Sequence, residues 1–193
     1  VSVKDDGGEA RMRYQDGYKD QKRRDLLKAA GAAAKKKGFA ATGVDALAEA
    51  AGVTSGAVYA HFGSKAGLLD AVIVNEMERS RARWGKNPDR PADVWLTDEL
   101  ARYLSRAHID NPESGCLMPT LAADVARAPG ATRRVFEEQL KQVQAEIAER
   151  LGDGEKAWQF LSQIVGAMVL ARAVMSADMQ EEILAVSRKV MTG

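Results

Sequence analysis

Thr42–Lys65, TGVDALAEAAGVTSGAVYAHFGSK, decides how the rest of this chain is read. Val44, Leu47, Ala48 and Ala51 recur at i, i+3, i+4 and i+7, which is one apolar face of a helix. Thr42 is placed to cap that helix, with Asp45 three residues on as a short capping-box partner whose charge suits a helix N-terminus. Gly52 can take the positive φ that stops the helix and turns the chain. Thr54 or Ser55 then caps a second helix, in which Val58 and Phe62 share one side. At about 100° per residue, Gly56 and Ala60 fall on the opposite side with Tyr59 beside them. That face is small in its middle and can approach a duplex closely, with Tyr59, His61 and Lys65 available for phosphates. The pattern is a helix-turn-helix, whose second helix enters the major groove N-terminus first. Ser64 is placed to cap a long third helix.

Composition frames this motif. The chain has 193 residues, enough for one or two domains with a real core. Alanine and leucine are plentiful and β-branched runs are scarce, so the fold class is all-α. No run approaches the roughly 18 apolar residues of a membrane span, and the N-terminus lacks the apolar core of a secretory signal. The single cysteine, Cys116, excludes a disulfide framework within the chain and suits the cytoplasm. Charge is uneven. Residues 11–37 hold 10 Lys and Arg against 3 Asp and Glu, a balance of +7, whereas residues 85–193 hold 13 against 16, a balance of −3. A basic front end fits a polyanion-binding head on a mildly acidic body. Lys35, Lys36 and Lys37 also suit the C-terminal end of a helix without any such partner.

In register, the residues A-x-x-A-G-V-T-x-G-A-V-Y-x-H-F-x-S-K-x-x-L-L from Ala48 to Leu69 resemble the DNA-binding head of TetR-type bacterial transcriptional regulators. The likeness extends upstream through RRDLLKAAGAAAKKKGFAATGVD and covers roughly residues 20–72. It implies a three-helix N-terminal head followed by a larger C-terminal helical bundle for ligand binding and dimerisation, about nine helices in all. It also implies a homodimer joined through the last two helices, a palindromic double-stranded DNA operator, and repression relieved by a small-molecule effector. At the matched positions Thr42, Ser55, Tyr59, His61 and Lys65 would hold phosphates. Thr54 and Gly56 would lie nearest the base edges, with Ser55 able to share that role. Phosphate contacts carry no sequence information, so the operator is not legible. The family usually has a large Leu-Phe pair near Ala33 and Ala34 and a residue other than glycine at Gly31. Here the small core is thinned, and a mid-helix glycine costs roughly 1 kcal/mol relative to alanine.

The chain divides into an N-terminal arm over residues 1–19, a head over 20–66 and a body over 67–193. The arm is polar and expected to be flexible, with Arg11, Arg13 and Lys19 within reach of a DNA backbone or simply solvated. Met12 is a candidate native start. Helix 1 is expected over Asp20–Lys37, with Leu26, Leu27, Ala30, Ala33 and Ala34 inward and Gly38 as its stop. The helix from Ser64 to Trp84 holds the domain boundary and ends at Gly85-Lys86-Asn87-Pro88. Five body helices are expected over Pro91–His108, Cys116–Arg127, Ala131–Leu151, Lys156–Ser176 and Met179–Met191, with Asp178 capping the last. AWQFLSQIVGAMVLARAVMS is apolar on more than one face, which suits a subunit interface or a central core helix.

No catalytic constellation emerges. GDGEKA at Gly152–Ala157 follows a helix and lacks the strand of a dinucleotide fingerprint. His61 and His108 are the only histidines, and neither has metal-ligand neighbours at suitable spacing, so no metal or cofactor is expected. Cys116 has no histidine near it in sequence and reads as an inert thiol. The chain is therefore read as non-enzymatic. A ligand pocket in the body has Trp84, Trp95, Tyr103, His108, Cys116, Met118, Leu121, Phe136 and Met168 as candidate lining residues, each with core packing as its plainer role. Two other classes remain open: a small-molecule-binding or enzymatic bundle with a vestigial head, and a DNA-binding protein indifferent to ligands.

Overall fold

The computed structural model describes residues 6–192, with side chains placed for 20–191. Among them are ten α-helices and one 3-10 turn, and no strand. Helix α1 spans Asp6–Lys37, so it begins well before the expected Asp20. No proline lies between these residues, and a nucleated helix gains a bond with each residue added. Residues 1–5 of the expected arm lie outside the described residues, and so do the side chains of Arg11, Arg13 and Lys19.

The head packs α1 against α2 (Val44–Ala50) and α4 (Lys65–Trp84), and α3 (Ser55–Phe62) against α2 and α4. Leu26, Leu27, Ala30, Ala34, Phe39, Leu47, Ala48, Val58, Leu68, Leu69 and Val72 are its buried interior. Gly52 has φ +64° between α2 and α3, as the turn requires. Ser64 caps α4 by accepting from the Gly67 N–H at 3.0 Å. Thr42 does not cap α2. Gly43 occupies that position without a side-chain bond, while the Thr42 hydroxyl donates to the Gly38 carbonyl at 2.8 Å.

The body comprises α5 (Ala92–Tyr103), α6 (Arg106–Asp110), a 3-10 turn (Pro112–Ser114), α7 (Met118–Ala126), α8 (Gly130–Leu151), α9 (Gly154–Ala173) and α10 (Ala177–Thr192). The single helix expected over Pro91–His108 is two. Leu104 leaves helical geometry with ψ 64°, and the Ser105 hydroxyl accepts from the His108 N–H to start α6. Ser176, not Asp178, caps α10 by accepting from the Met179 N–H at 3.3 Å. Asp153 caps α9 through the N–H groups of Glu155 and Lys156. The C-terminal half of α4 packs along α8, so one continuous helix belongs to the interiors of both head and body.

Candidate nucleic-acid interface and its junction with the body

Helix α3 turns Val58 inward, fully buried, and leaves Gly56, Tyr59 and Ala60 exposed. The Thr54 hydroxyl accepts from the Ala57 N–H at 3.3 Å, which ends the turn and keeps its own proton free to donate outward. Ser55 donates to the Asp45 carboxylate at the start of α2, so an acceptor-only group sits beside the predicted phosphate contact. Tyr59 stands 48% exposed on the flank of α3. His61 is half-buried with its ring 6.1 Å from that of Phe62, and the Arg23 guanidinium lies 5.2 Å over the Phe62 ring. Lys65 reaches back to the Ala40 carbonyl at 3.3 Å and lies 5.5 Å from the centre of the Phe39 ring. Gly56 has open space where a side chain would stand, so the backbone there can approach another molecule closely. Thr54, Gly56 and Tyr59 are thus exposed in or next to α3, while Ser55, His61 and Lys65 are half-buried with partners of their own, and Thr42 is buried.

The junction beneath the head is polar. Lys35 and Glu76 are 2% and 3% exposed, and they pair at 2.7 Å between α1 and α4. Lys35 faces inward, unlike Lys36 and Lys37, so the three-lysine run does not form one charged surface. The ammonium also donates to the Gly115 carbonyl at 3.2 Å, and Arg79 donates to the other Glu76 oxygen at 2.8 Å. Gly31 makes room for this pair: a Cβ there would come within 2.8 Å of Glu76 Oε1. The missing side chain is therefore replaced by a carboxylate, and the expected thinning of the core is not a void. Asp124 of α7 accepts from the N–H groups of Phe39 and Ala40 at 2.8 and 3.2 Å, satisfying orphan donors just past α1. Thr120 donates to the Lys35 carbonyl at 3.0 Å, and Arg172 of α9 donates to the His108 carbonyl at 2.6 Å.

His108 is held as a neutral ring. Its Nδ1 donates to the Tyr103 carbonyl at 2.7 Å, and its Nε2 accepts from the Cys116 N–H at 3.1 Å. Burial, chiefly, lowers its pKa to about 4. Burial likewise raises the Tyr103 phenol well above its usual range and raises the Cys116 thiol, so both stay protonated at neutral pH.

Residues 26–72 match the family model described as bacterial regulatory proteins, tetR family. It is a TetR-family head. The whole TetR-like fold recurs in solved structures. One is reduced NemR of E. coli, at 19% identity, covering 88% of this chain and 96% of that one, with a TM-score of 0.74. A TetR transcriptional regulator from Legionella pneumophila is similar at 21% identity over 88% and 94%, with a TM-score of 0.73. FadR from Bacillus subtilis in complex with stearoyl-CoA is similar at 16% identity over 88% and 95%, with a TM-score of 0.65. No curated protein matches the chain in sequence.

In this TetR-like body the nine candidate pocket residues separate. Trp84, Tyr103 and Cys116 wall one narrow cavity of about 10 Å³, together with Arg83 and Arg102. His108 lines a neighbouring cleft of about 290 Å³ that shares the two arginines. Trp95 packs on Phe160, its ring centre 5.7 Å away. Met118, Leu121 and Met168 are buried in the core, and Phe136 is half-buried against it. Sequence reading missed Arg83 and Arg102, since charged residues near helix ends look like ordinary solvated positions. Among the described residues no group of His, Cys, Asp and Glu could hold a metal ion, and no helix is long and apolar enough to cross a membrane.

Proposed function

We propose that this TetR-like regulator is a homodimeric repressor that binds a palindromic operator through α3 and is released by a small molecule held in the body. The observation that carries this reading is the outward face of α3, small at Gly56 and Ala60 and flanked by Thr54, Ser55, Tyr59, His61 and Lys65, in a head matching the family. Thr54 and Gly56 lie nearest base edges, and Tyr59, His61 and Lys65 meet phosphates. Ser55 contributes once its hydroxyl turns from Asp45. Thr42 is left out, because its hydroxyl proton is committed to Gly38. The head ends near residue 66, within the first turn of α4, and the body takes the remainder.

Dimerisation through α9 and α10 is supported by the apolar side chains these helices leave exposed. Trp158 is 44% exposed, Leu170 59% and Val190 65%, and Val169, Met179 and Val186 are also exposed. So many exposed apolar side chains on the last two helices suit a second copy of the chain. FadR, similar in fold, is seen with stearoyl-CoA, which supports a body able to take a small molecule. On the family match of its head, we read the protein as a regulator and not an enzyme.

Selection of bound duplexes from a random pool at near-physiological salt tests the reading. Enrichment of an inverted repeat is expected, with discrimination of roughly 10³ or more over random duplex. A folded dimer that enriches no sequence would remove operator recognition from the proposal.

A further inference from the structure

The cleft lined by His108 has an electrostatic character that its helix packing does not require. Its wall carries two guanidinium groups, Arg83 at the end of α4 and Arg102 at the end of α5. Arg102 is bound to Glu99. Arg83 is exposed and forms no ion pair among the described residues. The remaining lining is uncharged: hydroxyls, an amide, backbone and the neutral ring of His108. Glu76, which lines the adjoining cavity with Arg83, is already held by Lys35 and Arg79. Arg83 is therefore the one guanidinium of this lining without a carboxylate partner, beside a concave surface of about 290 Å³, and Arg172, outside the lining, adds its field at the His108 ring.

A second observation comes from the narrow cavity next to the cleft, which shares Arg83 and Arg102 with it. Tyr103 is 1% exposed, and its buried hydroxyl has no nitrogen or oxygen partner. It stands beside the Cys116 thiol in the narrow cavity that Arg83 and Arg102 also wall, where about 10 Å³ is open. That space admits about one oxygen atom. A buried hydroxyl kept protonated next to an unpaired guanidinium is a donor set for one oxyanion.

We propose that this cleft binds a small organic monocarboxylate, with Arg83 as its counter-ion and the Tyr103 hydroxyl as a second donor, and that occupancy acts on the head through Ser114 and Gly115. This rests on the ligand-responsive reading given above. With Arg102 paired to Glu99, the lining itself offers one free guanidinium, which matches a single negative charge better than a phosphate monoester, which carries nearly two. Ser114 and Gly115 line the cleft, and the Gly115 carbonyl is the partner of Lys35 in α1. Gly115 packs so closely on the His108 ring that even a Cβ would collide with it. A ligand that shifts this backbone therefore moves an acceptor of the buried pair under the head.

The test uses the full-length protein with hexanoate, benzoate and salicylate, each beside its neutral amide, and with phenyl phosphate. Calorimetry should show the acids binding about tenfold or more tightly than their amides and than phenyl phosphate. Arg83→Gln should remove that preference, and Tyr103→Phe should weaken the acids alone. Binding acids should also displace the selected operator duplex from the wild type and not from Arg83→Gln. Equal affinity for acids and amides, or a preference that survives Arg83→Gln, overturns the assignment. Tighter binding of phenyl phosphate replaces the carboxylate by a phosphoryl group. Acids that bind without displacing DNA sink the link through Gly115. Release of DNA by an amide alone leaves the ligand-responsive reading intact and rejects only the anion. A wild type that binds no operator at all fails at that reading instead.

Discussion

The two halves of α4 lie in different kinds of interior. Toward its N-terminus Leu68, Leu69 and Val72 are buried where α4 packs on α1 and α3, and its first turn is capped locally by Ser64. Toward its C-terminus Glu76 is buried against Lys35 of α1, which in turn holds the backbone at Gly115. The head is thus held together by burial that tolerates volume-conserving exchange, whereas its attachment to the body depends on charges taken out of water. A buried ion pair adds little net stability but is costly to break singly. An apolar head seated on a polar junction keeps its own shape while its seating responds to whatever changes the junction.

The largest effect expected from this contrast is at Glu76. Glu76→Leu should destabilise the protein by about 3–5 kcal/mol, because Lys35 is left charged and unpaired. The double variant Lys35→Met with Glu76→Leu should recover most of that loss, as read by urea unfolding midpoints. Equal destabilisation in single and double variants would break the claim that charge, and not packing, sets the junction.

Next in size is a pH dependence. The folded pKa of His108 is about 4, against 6.5 for the free side chain. Between those values the unfolded chain binds a proton that the folded one does not, so this contribution is full above pH 6.5 and is lost as pH falls toward 4. The loss amounts to about 3 kcal/mol at most. Wild type should lose more stability than His108→Gln over this window, and parallel pH profiles would show that the ring is not held neutral in the body.

Smaller effects are expected in the head. Ser64→Ala removes the cap of α4 and should cost about 1 kcal/mol in unfolding experiments. An unchanged midpoint would mean that the head does not depend on its local caps. Tyr59→Phe, which leaves packing intact, should weaken operator binding by about 1 kcal/mol regardless of sequence. Lys65→Ala should weaken it and reduce the dependence of log affinity on log salt by about 1. An unaltered salt slope would show that Lys65 stays on the Ala40 carbonyl when DNA is bound.

What could be read in the sequence follows the same division. Gly52, Thr54 and Ser64 act on backbone groups within a few positions of themselves, so the turn, the start of α3 and the start of α4 were legible as written. Thr42 was misread because its hydroxyl found the Gly38 carbonyl four residues back, an equally local alternative that spacing alone does not rank. Gly56, Tyr59 and Ala60 stand exposed opposite the buried Val58 because α3 has a fixed period. The candidate pocket residues scattered because an apolar residue in a bundle can face a cavity or the core with the same spacing.

The sequence by itself determined an all-α chain and a helix-turn-helix, since capping, turn glycine and periodicity are all contained within Thr42–Lys65. Only the tertiary structure decided that Lys35 turns inward, that Gly31 houses a carboxylate, and that Arg83 stands unpaired at a cleft. The partners of Lys35 lie 41 and 80 residues away along the chain. Long-range polar pairing has no period, so it becomes visible only when packing brings those residues together.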